Sequence, residues 1–201
     1  MQFDEQYVAE KLRRWDHYVE NYHLPEWQAI PDIGLYMEQL IALLKGYLDY
    51  LPPDLAEEQF ITAATVNNYV RKKIMPEPRN KKYYRTHIAY LIIICTLKHS
   101  LSISTLQTII PVDLTPQQLQ QTYTSYIRQH KLAFTRFADQ VRAFAAQVYQ
   151  QPRPGQEDAA RTEQLITTSA VISMLSRLLA EKLLLLEGKT PVPDPAPQKP
   201  E

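Results

Sequence analysis

Apolar residues recur along most of this chain every three or four positions, the period of a helix with one buried side. Val8, Leu12, Trp15, Val19 and Tyr22 are spaced 4, 3, 4, 3 and predict a helix over about 3–21. "HLPEWQAIPDIG" follows as a connector with two prolines. A second helix over about 34–51 carries Tyr36, Leu40, Leu43, Leu44, Tyr47 and Leu48 on one side, and "LPPDL" ends it. A short helix over about 63–73 starts on Thr62, whose side chain suits an N-cap, and "MPEPRNKK" breaks it. Thr86 is the expected cap of the next helix, about 87–99, which buries Ile88, Leu91, Ile92 and Cys95 with Leu97 at its end. Ser102 opens another short helix, carrying Ile103, Leu106 and Ile110.

"LTPQQ" is a strong start signal, with Thr115 as cap and Pro116 in the first turn, where its missing N–H does no harm. From there the apolar stripe runs Leu119, Tyr123, Ile127, His130, Phe134, Phe137, Val141, Phe144 and Val148, with spacing 4, 4, 3, 4, 3, 4, 3, 4. Such a heptad pattern fits a coiled-coil seam or one stripe of a helical hairpin. "QPRPG" at 151–155 reads as a turn, and a last helix over about 157–187, apolar on most sides, ends at Gly188. The Pro-rich end, "TPVPDPAPQKPE", is expected to be disordered.

Composition supports the periodicity. The 201 residues include only four glycines, and the fifteen prolines fall in clusters between the helical segments. That favours an all-α protein, with one domain or two small ones. The expected divisions are an N-terminal amphipathic helix with its connector at 1–29, several short helices at 30–112, a long antiparallel helical hairpin at 113–188, and the tail at 189–201. The N-terminal helix has apolar residues that suit packing on either helical unit. A single cysteine, Cys95 in "LIIICTL", excludes an internal disulfide and reads as a core thiol. The start has no apolar signal core and no run reaches the ~20 residues of a membrane span, so a cytoplasmic protein without a membrane partner is expected.

Charge changes the picture more. Lys plus Arg and Asp plus Glu are equal at 22 each. Between 62 and 100, however, eight cations face one acid, Glu77, so this stretch carries +7 and the remainder of the chain −7. Seven of them, Arg71, Lys72, Lys73, Arg79, Lys81, Lys82 and Arg85, lie on a helix end, a loop and the next helix start. That placement suits a nucleic-acid surface. Thr62, Thr65, Asn67 and Asn68 sit early in the short helix. Asparagine can make paired hydrogen bonds to adenine, and a helix N-terminus favours phosphate. The same asparagines read equally as local caps or solvated positions. Arg71, Lys72 and Lys73 suit phosphates, as do Arg79, Lys81 and Lys82 in the loop. Tyr69 reads as core before it reads as a DNA contact.

The stretch "TAATVNNYVRKKIMPEPRNKKYYRTHIAYLIIICTLKHSLSISTLQTI" resembles the DNA-binding half of MerR-type regulators. In that resemblance Tyr69 is the recognition-helix tyrosine, "IMPEPR" supplies the turn and Arg79, and Tyr84 is the wing tyrosine. "HIAYLIIICTLKHSLSISTLQTI" supplies two closing helices. With "PDIGLYMEQLIALLKGYL" upstream, residues 30–112 are more similar still to an uncharacterised bacterial family, the domain of unknown function numbered 1836. The resemblance implies a MerR-like (winged) helix-turn-helix and no chemistry. It departs from the pattern at Asn67, where arginine is usual, and in a wing, "EPRNKKYY", that is short and lacks glycine.

Nothing points to catalysis. His17, His23, His87, His99 and His130 show no metal-ligand spacing, and no P-loop, GxGxxG, GxSxG or paired-carboxylate motif is visible. No enzyme activity, catalytic residue, cofactor or metal is expected. His130 on the heptad seam more often fixes register. The expectation is a transcriptional regulator that binds double-stranded DNA through Thr65, Asn67, Asn68, Arg71, Lys72, Lys73, Arg79, Lys81, Lys82 and Arg85, as a homodimer. The competing reading is a helical protein-interaction module of the same fold without DNA binding.

Overall fold

Nine consecutive residues, His87–Cys95, are buried in one helix, the centre of the core of the unit that holds it. The protein is described by a computed structural model covering residues 3–48, 61–149 and 159–189. These residues form seven α-helices: α1 (Glu5–Asn21), α2 (Met37–Tyr47), α3 (Ala63–Arg71), α4 (Arg85–Leu97), α5 (Ile103–Ile109), α6 (Pro116–Tyr149) and α7 (Ala159–Leu184). A single 3-10 turn, Trp27–Ala29, lies in the connector, and no strand occurs among the described residues beyond two isolated β-bridges. The all-α class holds. The expected end of α2 at "LPPDL", the turn at 151–155 and the Pro-rich tail lie outside the described residues.

The sequence pattern assigned α4 one buried face. The structure buries Ala89, Tyr90, Ile93 and Ile94 as well. A helix that is apolar all round needs neighbours on every side. Here α2 and α6 pack on it, and Leu106 and Ile110 of α5, Val66 and Tyr69 of α3, and Leu40 and Leu44 of α2 join its core. Thr86 is not its cap. The helix begins two residues earlier, after Tyr84, whose backbone N–H is accepted by His87 Nδ1 at 2.9 Å. The caps read at Thr62, Ser102 and Thr115 do form, each hydroxyl accepting the backbone N–H three residues on, at 3.2, 3.1 and 3.3 Å.

The heptad stripe of α6 is met within the chain from Leu119 to Phe137. Its first turns enter the core: Leu119 and Tyr123 are buried, the Tyr123 ring meets Trp27 at a tilt of 59° with centroids 5.8 Å apart, and its hydroxyl donates to the Pro25 carbonyl at 2.7 Å. Its next turns take α1. Tyr22 meets Phe134 at 5.2 Å, Trp15 meets Phe137 edge-on at 5.4 Å, and Arg142 Nε lies 2.9 and 3.1 Å from the two Asp16 carboxylate oxygens. The N-terminal helix therefore packs on the long helix, and the borders expected at 29/30 and 112/113 fall inside one packed unit, residues 1–162. Residues 163–201 form a second unit, to which most of α7 belongs. Among the described residues no helix is long and apolar enough to cross a membrane.

Candidate nucleic-acid interface

The basic stretch folds as a helix end followed by a minimal hairpin. α3 ends in a Schellman turn: Ile74 N–H reaches the Tyr69 carbonyl and Lys73 N–H the Val70 carbonyl, both at 2.9 Å. The residue that makes this turn needs a left-handed backbone, normally glycine. Here it is Lys73, at φ 54°. Six residues later, at Arg79, the hairpin begins: Arg79 and Lys82 exchange backbone hydrogen bonds, 3.0 Å each way, around Asn80 and Lys81 at φ 50° and 60°. Two consecutive left-handed residues make the tight hairpin turn that usually carries Asn-Gly. Asparagine tolerates that conformation; lysine in it is strained by about 1–2 kcal/mol. The missing glycine noted in the sequence is thus replaced by a lysine that adopts glycine's geometry.

Three contacts hold this hairpin on the core. Leu35 and Tyr83 exchange backbone hydrogen bonds at 2.8 Å each way. Gly34 lies so close that a Cβ there would meet Lys82 Cβ and Tyr84 Cζ at 3.0 Å. His87, only 2% exposed, bonds the Glu77 carbonyl through Nε2 at 2.9 Å while Nδ1 accepts from Tyr84. One ring nitrogen donates and the other accepts, so this site requires the neutral ring.

His87 was not among the residues read as functional, since a histidine in a helix start carries no distinctive spacing. Burial holds its imidazole below the ordinary histidine range, against the pull of its two backbone hydrogen bonds, and the nearby Arg79 charge adds to the lowering. The unfolded ring takes up a proton near pH 6.5 and the folded ring resists it. Its contribution is therefore present above that pH and lost as pH falls below it. His99 and His130 are also held low by burial and add to the same trend. His87→Ala should destabilise the fold by about 2–4 kcal/mol through two orphaned backbone groups and a cavity. His87→Gln should in addition flatten part of the stability loss between about pH 7 and 5. Urea unfolding at several pH values checks both.

The predicted contact residues do not all stand alike. Arg71, Lys72, Lys73, Arg79 and Lys81 are exposed, and Lys82 is half-exposed with Nζ 5.1 Å over the Tyr36 ring. Elsewhere arginines are paired with acids: Arg14 with Glu10, Arg142 with Asp16 and Asp139, Arg177 with Glu181. Among the described residues no carboxylate pairs with any of the six cations between Arg71 and Lys82. Asn67 is exposed on α3, whereas Asn68 accepts from Arg71 at 2.9 Å and Thr65 bonds the Thr62 cap. Tyr69 is buried, its hydroxyl pushed up to about 12 by burial and by neighbouring Cys95. Arg85 leaves the set: Nε donates to the Ile30 carbonyl at 2.8 Å, the guanidinium lies 3.7 Å from Asp32 and stacks 5.8 Å over Trp27. It ties the connector to α4.

Comparison with families matches residues 25–127 to the one described as "Domain of unknown function (DUF1836)". The chain belongs to the DUF1836 family. Comparison with curated proteins and with solved structures finds no match. The DUF1836 match runs from the connector into α6, past the 30–112 read from the sequence, and its added ends are the ones that pack: Trp27 before it and Leu119 and Tyr123 after it sit in the core. α1, most of α6 and α7 lie outside the DUF1836 domain. The likeness to MerR-type regulators rests on the order of sequence elements alone.

Proposed function

We propose that this DUF1836 protein is a DNA-binding regulator that sets α3 and the hairpin at 79–82 against duplex DNA, in the manner of a winged helix-turn-helix. What carries the reading is the group of six cations at one helix end and one hairpin, without a carboxylate partner among the described residues. A cluster of unneutralised cations repels itself, and phosphates relieve it. Arg71, Lys72, Lys73, Arg79, Lys81 and Lys82 are the phosphate contacts in this reading. Asn67 is its base-reading side chain, and Asn68 and Thr65 support α3. The protein acts as a homodimer through α7.

Lys81 separates a structural from a functional role. Lys81→Gly relieves a left-handed lysine and should raise stability by about 0.5–1 kcal/mol after glycine's own entropy loss. The same change should weaken duplex binding and reduce its salt slope by about one contact. Denaturation and fluorescence anisotropy on one preparation measure both. A gain in stability with unchanged binding would remove Lys81 from the interface.

A second reading, a helical module that binds protein and not DNA, draws on the zero net charge and on the apolar residues exposed along α7. A gel shift with generic duplex at low salt separates the two. Absence of a complex would favour the protein-binding module.

A further inference from the structure

A cavity of about 490 Å³ lies between α1 and the middle of α6, within the size range of small-molecule sites. Its wall is aromatic. His130 lies nearly parallel to Phe134, 19° apart with centroids at 5.3 Å, and Tyr22 closes on both at 6.4 and 5.2 Å. Ala138, buried one turn beyond Phe134, is the smallest residue of the lining.

The polar side chains on its lining are unequal, and several are already engaged: Tyr22 donates to the Tyr47 carbonyl, Thr135 to the Lys131 carbonyl, and a His23 ring nitrogen bonds the Asn21 carbonyl. Arg142 is engaged by Asp16 and Asp139. Lys131 is exposed and, among the described residues, has no carboxylate partner. The ring nitrogens of His130 likewise have no hydrogen-bond partner there. Burial keeps that ring below the ordinary histidine range, so at neutral pH it presents a neutral face for stacking and one N–H donor. Glu26 is the one acid of the lining. A ligand that suits this place is flat and apolar over most of its surface, with a single negative group at its edge.

We infer that the α1–α6 cavity binds a small aromatic anion, its ring against His130, Phe134 and Tyr22 and its charge beside Lys131. Apart from Glu26 and Ile127, the lining lies outside the DUF1836 match, so the site belongs to this chain's additions to that domain. A bound ring touches α1 on one side and α6 on the other, and so fastens the N-terminal helix in place.

The test needs no DNA, so its result is independent of the DNA-binding reading. The full chain is titrated calorimetrically with 2-naphthoate and with its uncharged counterpart, 2-naphthamide. Naphthoate should bind one per chain and the amide about tenfold more weakly, the scale of one charge-assisted contact. Lys131→Gln, a surface change that leaves the helix intact, should bring naphthoate down to the level of the amide. Ala138→Phe fills the cavity and should abolish binding of both. Equal affinity of the two probes, or naphthoate binding unchanged in Lys131→Gln, overturns the proposal. So does binding at several weak sites that Ala138→Phe leaves intact, which marks general apolar surface. Should Ala138→Phe fail to fold, the Lys131→Gln result and the two-probe ratio decide alone.

Discussion

Raising salt from about 50 to about 200 mM should weaken duplex binding by roughly a thousandfold. The expectation follows from the six cations between Arg71 and Lys82, five of them exposed and Lys82 half-exposed. Each phosphate they neutralise releases a condensed counterion, and the slope of log affinity against log salt is about −0.9 per contact, or about −5 for six. Arg85 is left out of that number because its guanidinium is held by the Ile30 carbonyl and Asp32. A titration with a fluorescent generic duplex at four or five salt concentrations measures the slope directly. A slope near −1 would mean that most of these cations face solvent in the complex. No binding at any salt would end the DNA reading.

The helices were legible because burial in this fold is mostly one-sided. α1, α2, α3, α5 and α6 each bury a stripe with helical period, and Thr62, Ser102 and Thr115 announce their starts with capping hydroxyls. α4 was legible as a helix and misread as to its face, since a run such as "HIAYLIIICTL" has no polar side to mark an orientation. The seam of α6 showed its heptads and not its partner. Spacing says that a stripe is buried; it does not say whether a second chain, a hairpin arm or α1 buries it.

The basic site was legible as charge and illegible as geometry. Lys73 and Lys81 occupy left-handed positions that a sequence reader assigns to glycine, so the Schellman turn and the hairpin carry no signature at those residues. Arg85 looked like one cation of seven. Only the fold brings Ile30 and Asp32, more than fifty residues earlier, to its guanidinium. His87 was invisible for the same reason: its partner, the Glu77 carbonyl, is a backbone group in a loop.

Replacing Leu178 and Leu185 by glutamate should turn a dimer into a folded monomer. α7 has apolar residues on more than one side, and its leucines stand well exposed: Leu179 and Leu183 are each 60% accessible, and Leu185, just past the helix end, 67%. Full burial of one leucine stabilises by about 1.5–3 kcal/mol, so so many exposed leucines on one helix are a strong drive to associate. The alternative cover was α1, through Val8, Leu12, Trp15 and Val19. That face is engaged: Val19 is buried and Trp15 packs on Phe137 of α6. A second copy is the partner whose supply is certain, and a two-fold dimer also suits a reader of two half-sites about one DNA turn apart. Leu178→Glu with Leu185→Glu places four carboxylates in such an interface, and an unpaired buried charge is costly enough to raise the dimer Kd by at least about a thousandfold. Light scattering on wild type at about 50 μM should give twice the mass of one chain, and the double variant the mass of one, with unchanged helical circular dichroism. The variant should also lose most of its duplex affinity, because two half-sites held by one dimer bind as a single event. A monomeric wild type at that concentration would exclude the dimer and leave α7 as a surface for a different protein.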